Sequence, residues 1–176
     1  MRYKALYKTP AGFSDILLFS DGEYLTGLCF AGSRDAKKHS VCAEIRELPV
    51  FCEAVNWLNV YFEGGIPKRP PAYRIEGLTD FRKEVMDIML SIPYGETVTY
   101  GEIATRIAKK HGLKRMSAQA VGGAVGWNPL CLIVPCHRVM GANGAVTGYG
   151  GGIENKIALL KLERQSINGG EIQCRL

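Results

Sequence analysis

A cysteine and a histidine stand side by side in the segment VPCHRV, as Cys136 and His137. A cysteine attacks as the thiolate, so its ordinary pKa of about 8.5 must fall, and a histidine can act as the base. Neighbouring side chains in an extended chain point to opposite faces, so direct contact requires a bent backbone or a bridging water. Pro135 and the glycine-rich segment 141–152 can supply a bend. Residue types alone leave two interpretations open, a nucleophile beside its base and a core cysteine beside a surface histidine.

The other cysteines offer a metal interpretation, which their spacing does not favour. Cys131, Cys136 and His137 form C-x4-C-H, and Cys29, His39 and Cys42 form C-x9-H-x2-C. Neither has the paired short spacings of a structural zinc site, so we expect no metal. Six scattered cysteines in 176 residues are predicted to be free thiols in a reducing compartment.

The apolar pattern argues against membrane insertion and secretion. No apolar run approaches the ~20 residues that span a bilayer. The first residues, MRYKALYKTP, lack the apolar region of a secretory signal. We expect a cytoplasmic protein with no membrane partner.

The positive charge is concentrated in the second half. The net charge is +5; residues 1–80 carry ten basic and ten acidic side chains, and residues 81–176 carry twelve and seven. Between Thr99 and Asn128, five Lys/Arg residues stand against Glu102 alone. This cluster is a candidate phosphate-binding face, although an ordinary solvated surface fits the charge equally well.

The first half predicts a small α+β unit at residues 1–78. YKALYKTP reads as one strand, and ILLFSDGEYLTGLCF as two strands joined by an Asp21-Gly22 turn. VFCEAVNWLNVYFEGG has helical spacing and ends at two glycines. IPKRPPAYRIEGL, with its prolines, is predicted to be an irregular connector.

The second half, residues 79–176, is predicted to be mostly helical. One helix begins near Asp80 as its cap, a second follows the Thr99–Glu102 capping box, and a third follows Ser117. Helix, short turn, helix is the outline of a helix-turn-helix. Gly122 and Gly123 inside the third helix cost ~1 kcal/mol each, which indicates a close approach by a neighbouring helix or a ligand. A last helix is expected at 153–164, with a loose tail after about residue 165.

Three segments together resemble one known family. They are IPYGETVTYGEIA, SAQAVGGAVGWNPLCLIVPCHRVMGANGAVTGYGGG and KIALLKLE, and they lie within residues 80–164. They resemble the O6-alkylguanine-DNA alkyltransferases, also called methylated-DNA–protein-cysteine methyltransferases. The first half resembles the family only in its general layout of a small sheet, a helix and a proline-rich connector.

The resemblance implies an α/β (α+β) fold and a repair function. A small N-terminal antiparallel, ribonuclease-H-like sheet with a helix would precede a helical domain that contains a helix-turn-helix. The implied activity is the irreversible, single-turnover transfer of an alkyl group from O6-alkylguanine, and from O4-alkylthymine, to Cys136. The implied partner is duplex DNA bound through the minor groove by a monomer, with no cofactor and with the damaged base extruded from the duplex.

The resemblance also assigns roles to individual residues. Cys136 would accept the alkyl group, His137 would deprotonate it through a water, and Glu163 would orient His137. Asn128 would support the active-site turn, and Tyr100 would donate to the guanine ring. On residue types alone, Tyr100 also fits a buried helix stripe and Glu163 an ordinary surface carboxylate.

Further residues are implied for the substrate pocket and the DNA surface. The implied pocket residues are Tyr149, Gly150, Val139 and Trp127. The implied DNA-binding residues are Gln119, Arg115, Ala118, Gly122, Gly123 and Arg138. Two departures stand out: position 150 is often a small polar residue in the family, and Gln119 occupies the place of an arginine that fills the gap left by the base. Arg115 lies four residues before Gln119 and would share its face if the helix began early enough.

Two other functions remain open from the sequence. A cysteine hydrolase or acyltransferase could use the same Cys-His-Glu set, and a non-catalytic helix-turn-helix module could use the same helices. The stoichiometry of methyl transfer separates the three, since it would be one, many or none per molecule.

Overall fold

The computed structural model describes residues 2–39 and 43–168 and confirms the predicted mixture of a small sheet and helices. The strands are β1 (Tyr3–Tyr7), β2 (Ile16–Ser20), β3 (Leu25–Phe30), β4 (Glu44–Ile45), β5 (Val98–Thr99) and β6 (Val139–Met140). The helices are α1 (Arg34–His39), α2 (Pro49–Phe62), α3 (Asp80–Leu90), α4 (Tyr100–Lys110), α5 (Ala118–Val125) and α6 (Ile153–Asn168).

The N-terminal sheet has the order β3-β2-β1-β4 and is mixed, not wholly antiparallel as predicted. The three predicted strands form an antiparallel meander, with Tyr7 opposite Ile16 and Leu18 opposite Leu28. The short strand β4 pairs with β1 in parallel. Neither β4 nor α1 was expected, because elements this short contain too few residues to show a periodic pattern. The ribonuclease-H-like arrangement stays a prediction.

The outer edge of β3 is covered by two later segments of the chain. Leu25 donates its N–H to Ala72 and accepts from Arg74 in the proline-rich connector. Leu28 donates to Pro129 at 2.8 Å and accepts from Cys131 at 2.9 Å. The turn that leads to Cys136 is therefore attached to the sheet by backbone hydrogen bonds.

One continuous apolar core joins the two predicted units. It contains side chains from the sheet and α2, such as Leu28 and Leu58, and from the second half, such as Val85, Ile103 and Leu159. Both halves of the chain bury their apolar faces in this common core. The predicted domain boundary at residue 78 therefore stays a prediction.

The helix ends follow their capping residues, with one correction to a predicted cap. Thr99 and Glu102 form the predicted capping box of α4. The cap of α3 is Thr79, whose side chain accepts from Arg82, and not Asp80. Ser117 caps α5, which begins only at Ala118, so Arg115 precedes the helix and does not share a helical face with Gln119.

The last helix is longer than expected. α6 continues to Asn168, beyond the predicted end at 164, and the predicted tail from residue 169 onwards lies outside the described residues. The α4–α5 pair follows the predicted helix, turn, helix order, but its assignment as a DNA-binding helix-turn-helix stays a prediction. Within residues 2–39 and 43–168, no helix combines the length and the apolar character that crossing a bilayer requires.

The capping box of α4 gives a test of local stability. Thr99→Ala should lower the free energy of unfolding by about 1 kcal/mol, because the first turn of α4 loses its side-chain acceptor. The matched control is Thr105→Ala in the same helix, where the hydroxyl only bonds back to the Gly101 carbonyl. Alanine is the better helix former, so this control should change stability by less than about 0.5 kcal/mol. Chemical denaturation measures both, and equal losses would contradict the role of the cap.

Candidate active site

A buried turn between residues 128 and 138 carries Cys136. Asn128 holds this turn from the inside, since its side-chain amide donates to the Val134 carbonyl at 2.8 Å and to the Cys136 sulfur at 3.0 Å. Its side-chain oxygen accepts from the N–H of Leu130 at 3.0 Å. Leu132 adopts φ 71°, a left-handed conformation that is costly for a branched side chain. The hydrogen bonds of Asn128 therefore hold the backbone of the turn in one conformation around the sulfur.

The Cys136 sulfur lies among neutral hydrogen-bond donors, and the residue is only 5% exposed. A hydrogen bond from the Cys131 thiol lowers the pKa of Cys136, and the Asn128 amide acts in the same direction against desolvation. The pKa of Cys131 is raised well above its ordinary value, because it donates to Cys136 and is itself buried. Cys131 thus remains the protonated partner, and Cys136 is the thiol that ionises.

His137 follows Cys136 in a short 3-10 turn and is fully buried. Its Nε2 lies 2.7 Å from Oε1 of Glu163. Because the carboxylate accepts, we assign the proton of the neutral ring to Nε2, which leaves Nδ1 as an acceptor. Burial lowers the pKa of His137 more than Glu163 raises it, so the ring is neutral at pH 7 and able to take a proton.

Glu163 is a buried carboxylate that accepts from three further groups. Arg138 forms a bidentate pair with it, with Nε and Nη2 each at 2.9 Å from a carboxylate oxygen. The Tyr61 hydroxyl donates at 2.6 Å and the Gly95 N–H at 3.0 Å. Desolvation would raise the pKa of Glu163, but the bonds from His137 and Arg138 outweigh it and hold this pKa well below the usual range.

Arg138 was predicted to contact DNA, and the structure places it elsewhere. Its guanidinium is almost wholly buried against Glu163 and also donates to the Ile92 carbonyl at 2.8 Å. A buried guanidinium is retained where its charge is paired, and this pairing leaves it no access to an external phosphate. Arg138 and its neighbour in sequence, His137, both donate hydrogen bonds to the Glu163 carboxylate.

Tyr100 and Tyr149 lie on the side of Cys136 where the glycine-rich loop folds over. The Tyr100 hydroxyl donates to the Gly148 carbonyl at 3.3 Å. Burial raises the pKa of Tyr100, with a smaller contribution from Cys136, so the phenol keeps its proton. Burial and both sulfur atoms, of Cys131 and Cys136, also raise the pKa of Tyr149. The two phenols therefore remain proton donors near the sulfur.

Lys156 ties the loop to the active-site turn. Its ammonium is fully buried and donates to the Val139 carbonyl at 2.6 Å and to the Thr147 carbonyl at 3.0 Å. Desolvation lowers the pKa of Lys156 to about 8. A buried cation held by two carbonyls fixes the distance between the end of the turn and the loop that carries Tyr149.

Of the residues predicted to line the pocket, Trp127 faces a different cleft, and the role of Val139 stays a prediction. Val139 is fully buried in the same apolar cluster as Cys136, and its backbone pairs with Val98 in the short β5–β6 sheet. Trp127 packs beneath Arg82, whose Cζ lies 4.3 Å from the ring centroid. Trp127 lines a cleft of about 190 Å³ with Phe19 and Pro129, not the surroundings of Cys136. Gly150, by contrast, lies at the loop next to Tyr149 and against Asp35 of α1.

The exposed side of α5 presents small residues and Gln119. Ala118, Gln119 and Gly123 are exposed, and Arg115 is exposed in the preceding turn. A Cβ on Gly123 would meet nothing within 4 Å, and one on Gly122 would only touch the Tyr100 ring at 3.9 Å. Within the described part of the chain, no neighbouring helix therefore requires a glycine at either position.

The metal interpretation gains no geometric support. His137 directs Nε2 towards Glu163, away from the two sulfur atoms that share its sequence motif. Among the residues that the structure describes, no three His, Cys, Asp or Glu side chains form a possible metal cluster. Cys42, in the other spacing considered, lies outside the described residues.

Four residues of the site were not found from the sequence as functional candidates. Tyr61 and Asp35 lie far from the motif along the chain, and nothing in their local pattern distinguishes them from ordinary core and surface positions. Lys156 is the first residue of the segment KIALLKLE, which resembles the family, but no role was predicted for it. Cys131 had a signal in its spacing from Cys136, but that spacing was considered only for metal binding. Contacts between distant segments decide the positions of Tyr61 and Asp35.

Comparisons with known proteins identify relatives of this chain. Residues 80–165 match the family model "6-O-methylguanine DNA methyltransferase, DNA binding domain". The methylated-DNA–protein-cysteine methyltransferase of Mycobacterium tuberculosis is 50% identical over 114 residues, which cover 65% of this chain and 66% of that protein. The protein of the same name from Methanosarcina acetivorans is 40% identical over 163 residues, which cover 92% of this chain and 97% of its own length.

Solved structures show the same relationship over nearly the whole chain. The crystal structure of the Mycobacterium tuberculosis O6-methylguanine methyltransferase superimposes with a TM-score of 0.76 at 39% identity, covering 94% of both chains. The same enzyme has been solved in complex with DNA, with a TM-score of 0.76 at 38% identity over 94% of this chain and 93% of that one. As the sequence predicted, this chain belongs to the family of methylated-DNA–protein-cysteine methyltransferases.

Proposed function

We propose that this protein repairs O6-alkylguanine in DNA by transferring the alkyl group to Cys136, once per molecule. The observation that carries the proposal is the Cys136 sulfur, which accepts a hydrogen bond from Asn128 beside a neutral His137 whose tautomer is fixed by Glu163. This arrangement favours the thiolate and provides a base, which are the two requirements of a cysteine nucleophile.

Proton removal from Cys136 runs through His137. Nδ1 of His137 is buried and has no hydrogen-bond partner among the described residues. Buried nitrogen atoms normally have a partner, and a bridging water would link Nδ1 to the sulfur. The thiol proton passes through this water to Nδ1, and Glu163 stabilises the imidazolium that results.

The transfer itself is a displacement at an sp3 carbon. The thiolate attacks the alkyl carbon, a C–S bond forms, and the C–O6 bond breaks with its electron pair on guanine. Tyr100 keeps its proton and lies at the loop, so it supplies a hydrogen bond to the guanine ring as O6 leaves. The product is a thioether, which water does not cleave, so the site is used once.

DNA binding is assigned to the exposed surface of α5. Ala118, Gly122 and Gly123 allow a nucleic-acid backbone to approach closely, which suits the minor groove, and Gln119 enters the space of the extruded base. Arg115 contributes a phosphate contact. We propose that the protein acts as a monomer, as the family resemblance implies. Free cysteines at positions 29, 52, 131 and 136 suit a reducing compartment such as the cytoplasm.

The acceptor assignment predicts a stoichiometric mass change. After incubation with duplex DNA that contains O6-methylguanine, the intact protein should gain one methyl group, and peptide mapping should place it on Cys136. Cys136→Ala should abolish the gain and retain DNA binding. The control is Cys52→Ala, a surface thiol whose loss should change nothing. Turnover beyond one equivalent would indicate a hydrolase or acyltransferase, and DNA binding with no transfer would indicate a non-catalytic module.

The Glu163 cluster predicts that stability and activity can be separated. Glu163→Gln should cost about 3 kcal/mol of unfolding free energy, because it leaves the Arg138 cation buried without its partner. Adding Arg138→Met should recover much of this loss but not the transfer rate, since His137 still lacks its carboxylate. His137→Ala should slow transfer by roughly a hundredfold or more.

Denaturation and single-turnover rates are measured on the same preparations. The control is Asp87→Asn, which breaks the exposed Lys83–Asp87 pair and should alter neither quantity measurably. Recovery of both stability and rate in the double variant would show that Glu163 serves only the fold.

Gln119 is predicted to act on extrusion and not on chemistry. Gln119→Ala should slow repair of duplex DNA by roughly tenfold, a fraction of the few kcal/mol that extrusion costs. The same variant should react normally with free O6-benzylguanine, which requires no extrusion. Arg115→Ala should instead weaken DNA binding and reduce its salt dependence by about one phosphate contact. Equal losses on duplex and free base for Gln119→Ala would mean that this residue shapes the pocket.

A further inference from the structure

Donors from different parts of the chain share one oxygen of the Glu163 carboxylate. The Tyr61 hydroxyl donates to Oε1 at 2.6 Å, and Nε2 of His137 lies 2.7 Å from the same atom. Nη2 of Arg138 also donates to Oε1, at 2.9 Å, whereas the Gly95 N–H donates to Oε2. A carboxylate oxygen has two lone pairs, so three donors compete for Oε1. Tyr61 therefore takes part of the accepting capacity on which His137 depends.

The Tyr61 hydroxyl acts as a donor to Glu163 and not as a partner of His137. Its oxygen lies 3.4 Å from Nε2 of His137, but both groups direct a proton at Oε1, so this is a contact between two donors. Burial and the neighbouring Glu163 raise the pKa of Tyr61 well above its ordinary value, so the phenol keeps its proton. The positive end of the O–H dipole consequently lies against the carboxylate, beside the imidazole ring.

The packing of α2 fixes the position of this hydroxyl. Tyr61 is only 1% exposed. Its ring stacks on Trp57 with the centroids 5.7 Å apart, and it meets the rings of Phe62 at 5.5 Å and Tyr94 at 5.9 Å at steep angles. Aromatic rings on several sides prevent the phenol from swinging away from the carboxylate. This donor comes from outside residues 80–165, the segment that the family model matches.

Competition for Oε1 bears on the proton affinity of His137. Removal of the thiol proton converts His137 to imidazolium, which Glu163 stabilises through the bond to Nε2. Desolvation has the largest effect on the pKa of His137 and lowers it; Glu163 raises it, whereas Arg138 in the active-site turn and Lys156 in α6 lower it. A second donor withdraws charge from the oxygen that holds the imidazolium, so Tyr61 acts against Glu163.

We propose that Tyr61 is a positioning residue that sets the proton affinity of His137 through the carboxylate oxygen that the two side chains share. The hydroxyl limits how far Glu163 stabilises the imidazolium, so His137 stays neutral and able to take the thiol proton. The inference rests on the proposed alkyl transfer to Cys136 and adds a residue from the first half of the chain to the groups that activate it.

The test measures the protonation of His137 directly. The chain has three histidines, so isotope-labelled histidine gives three ring signals in a magnetic resonance titration, and the signal missing from His137→Ala belongs to His137. Tyr61→Phe keeps the ring and removes the hydroxyl. It should raise the pH at which His137 is half protonated by about one unit, because Oε1 loses a competing donor.

The same change should appear in the rate of alkyl transfer. The single-turnover rate with free O6-benzylguanine depends on neutral His137, so its fall on the acid side should move to higher pH in Tyr61→Phe by the same amount. Free base is the substrate of choice here because the binding of duplex DNA has a pH dependence of its own.

A second replacement at the same position should move the midpoint the other way. A ring-fluorinated tyrosine at position 61 is a more acidic phenol of nearly the same shape, so it donates a stronger hydrogen bond to Glu163 and should lower the midpoint of His137. It keeps the buried hydrogen bond, so it tests the inference even if Tyr61→Phe does not fold.

Tyr7→Phe is the matched control for the loss of a hydroxyl beside α2. Tyr7 donates its hydroxyl to Asn59 of α2 at 2.9 Å and not to Glu163. Its replacement should leave the midpoint of His137 unchanged, whatever stability it costs. The same invariance in both replacements of Tyr61, with rates lowered by one factor at every pH, would show a merely structural role and overturn the inference.

The outcome is separable from that of the proposed function. The midpoint of His137 is read without any alkyl transfer, so it decides the role of Tyr61 by itself. Absence of a methyl group on Cys136 in the wild-type protein would instead overturn the proposed function. Movement of the midpoint in the same direction by both replacements of Tyr61 would contradict competition for the shared oxygen.

Discussion

The Glu163 carboxylate is the interaction on which the rest of the site depends. It lies at full burial and accepts hydrogen bonds from α2, from the loop after α3 and from the active-site turn. A buried carboxylate is stable only if its lone pairs are satisfied, and here Arg138 also neutralises its charge. The segments that supply these donors are consequently held in one arrangement. This arrangement also fixes the orientation of His137, and His137 in turn can activate the sulfur.

The first half of the chain contributes more to the site than support. Tyr61 places a hydroxyl 2.6 Å from Glu163, and Asp35 fills the space above Gly150. Both residues lie outside the segment that the family model matches. Chains that share the motif around Cys136 can therefore differ in how the carboxylate is held and in what packs against Gly150.

The sequence predicted β1 to β3, the long helices and the residues around Cys136, because each has a strong local signal. The Asp21-Gly22 turn, the Thr99 capping box and the PCHRV motif are readable from neighbours a few residues apart. The short α1 and β4 have no such signal, and α1 carries Asp35. Arg138 stands beside the motif in sequence, yet burial and pairing with Glu163 decide its position, and no local pattern expresses either. The position of Trp127 could not be predicted either, because it packs against Arg82, which comes from another helix.

The attachment of the active-site turn to β3 has a consequence for the protein after it has reacted. A thiolate is a strong hydrogen-bond acceptor and a thioether is a weak one, so alkylation weakens the bond between the Asn128 amide and the Cys136 sulfur. The same turn supplies the backbone partners of Leu28 on the outer strand of the sheet. Loosening it would uncover unpaired N–H and C=O groups next to apolar side chains, a surface that attracts other strands. The spent molecule would then be more prone to aggregate than the active one, so the chemistry of repair would also shorten the life of the protein.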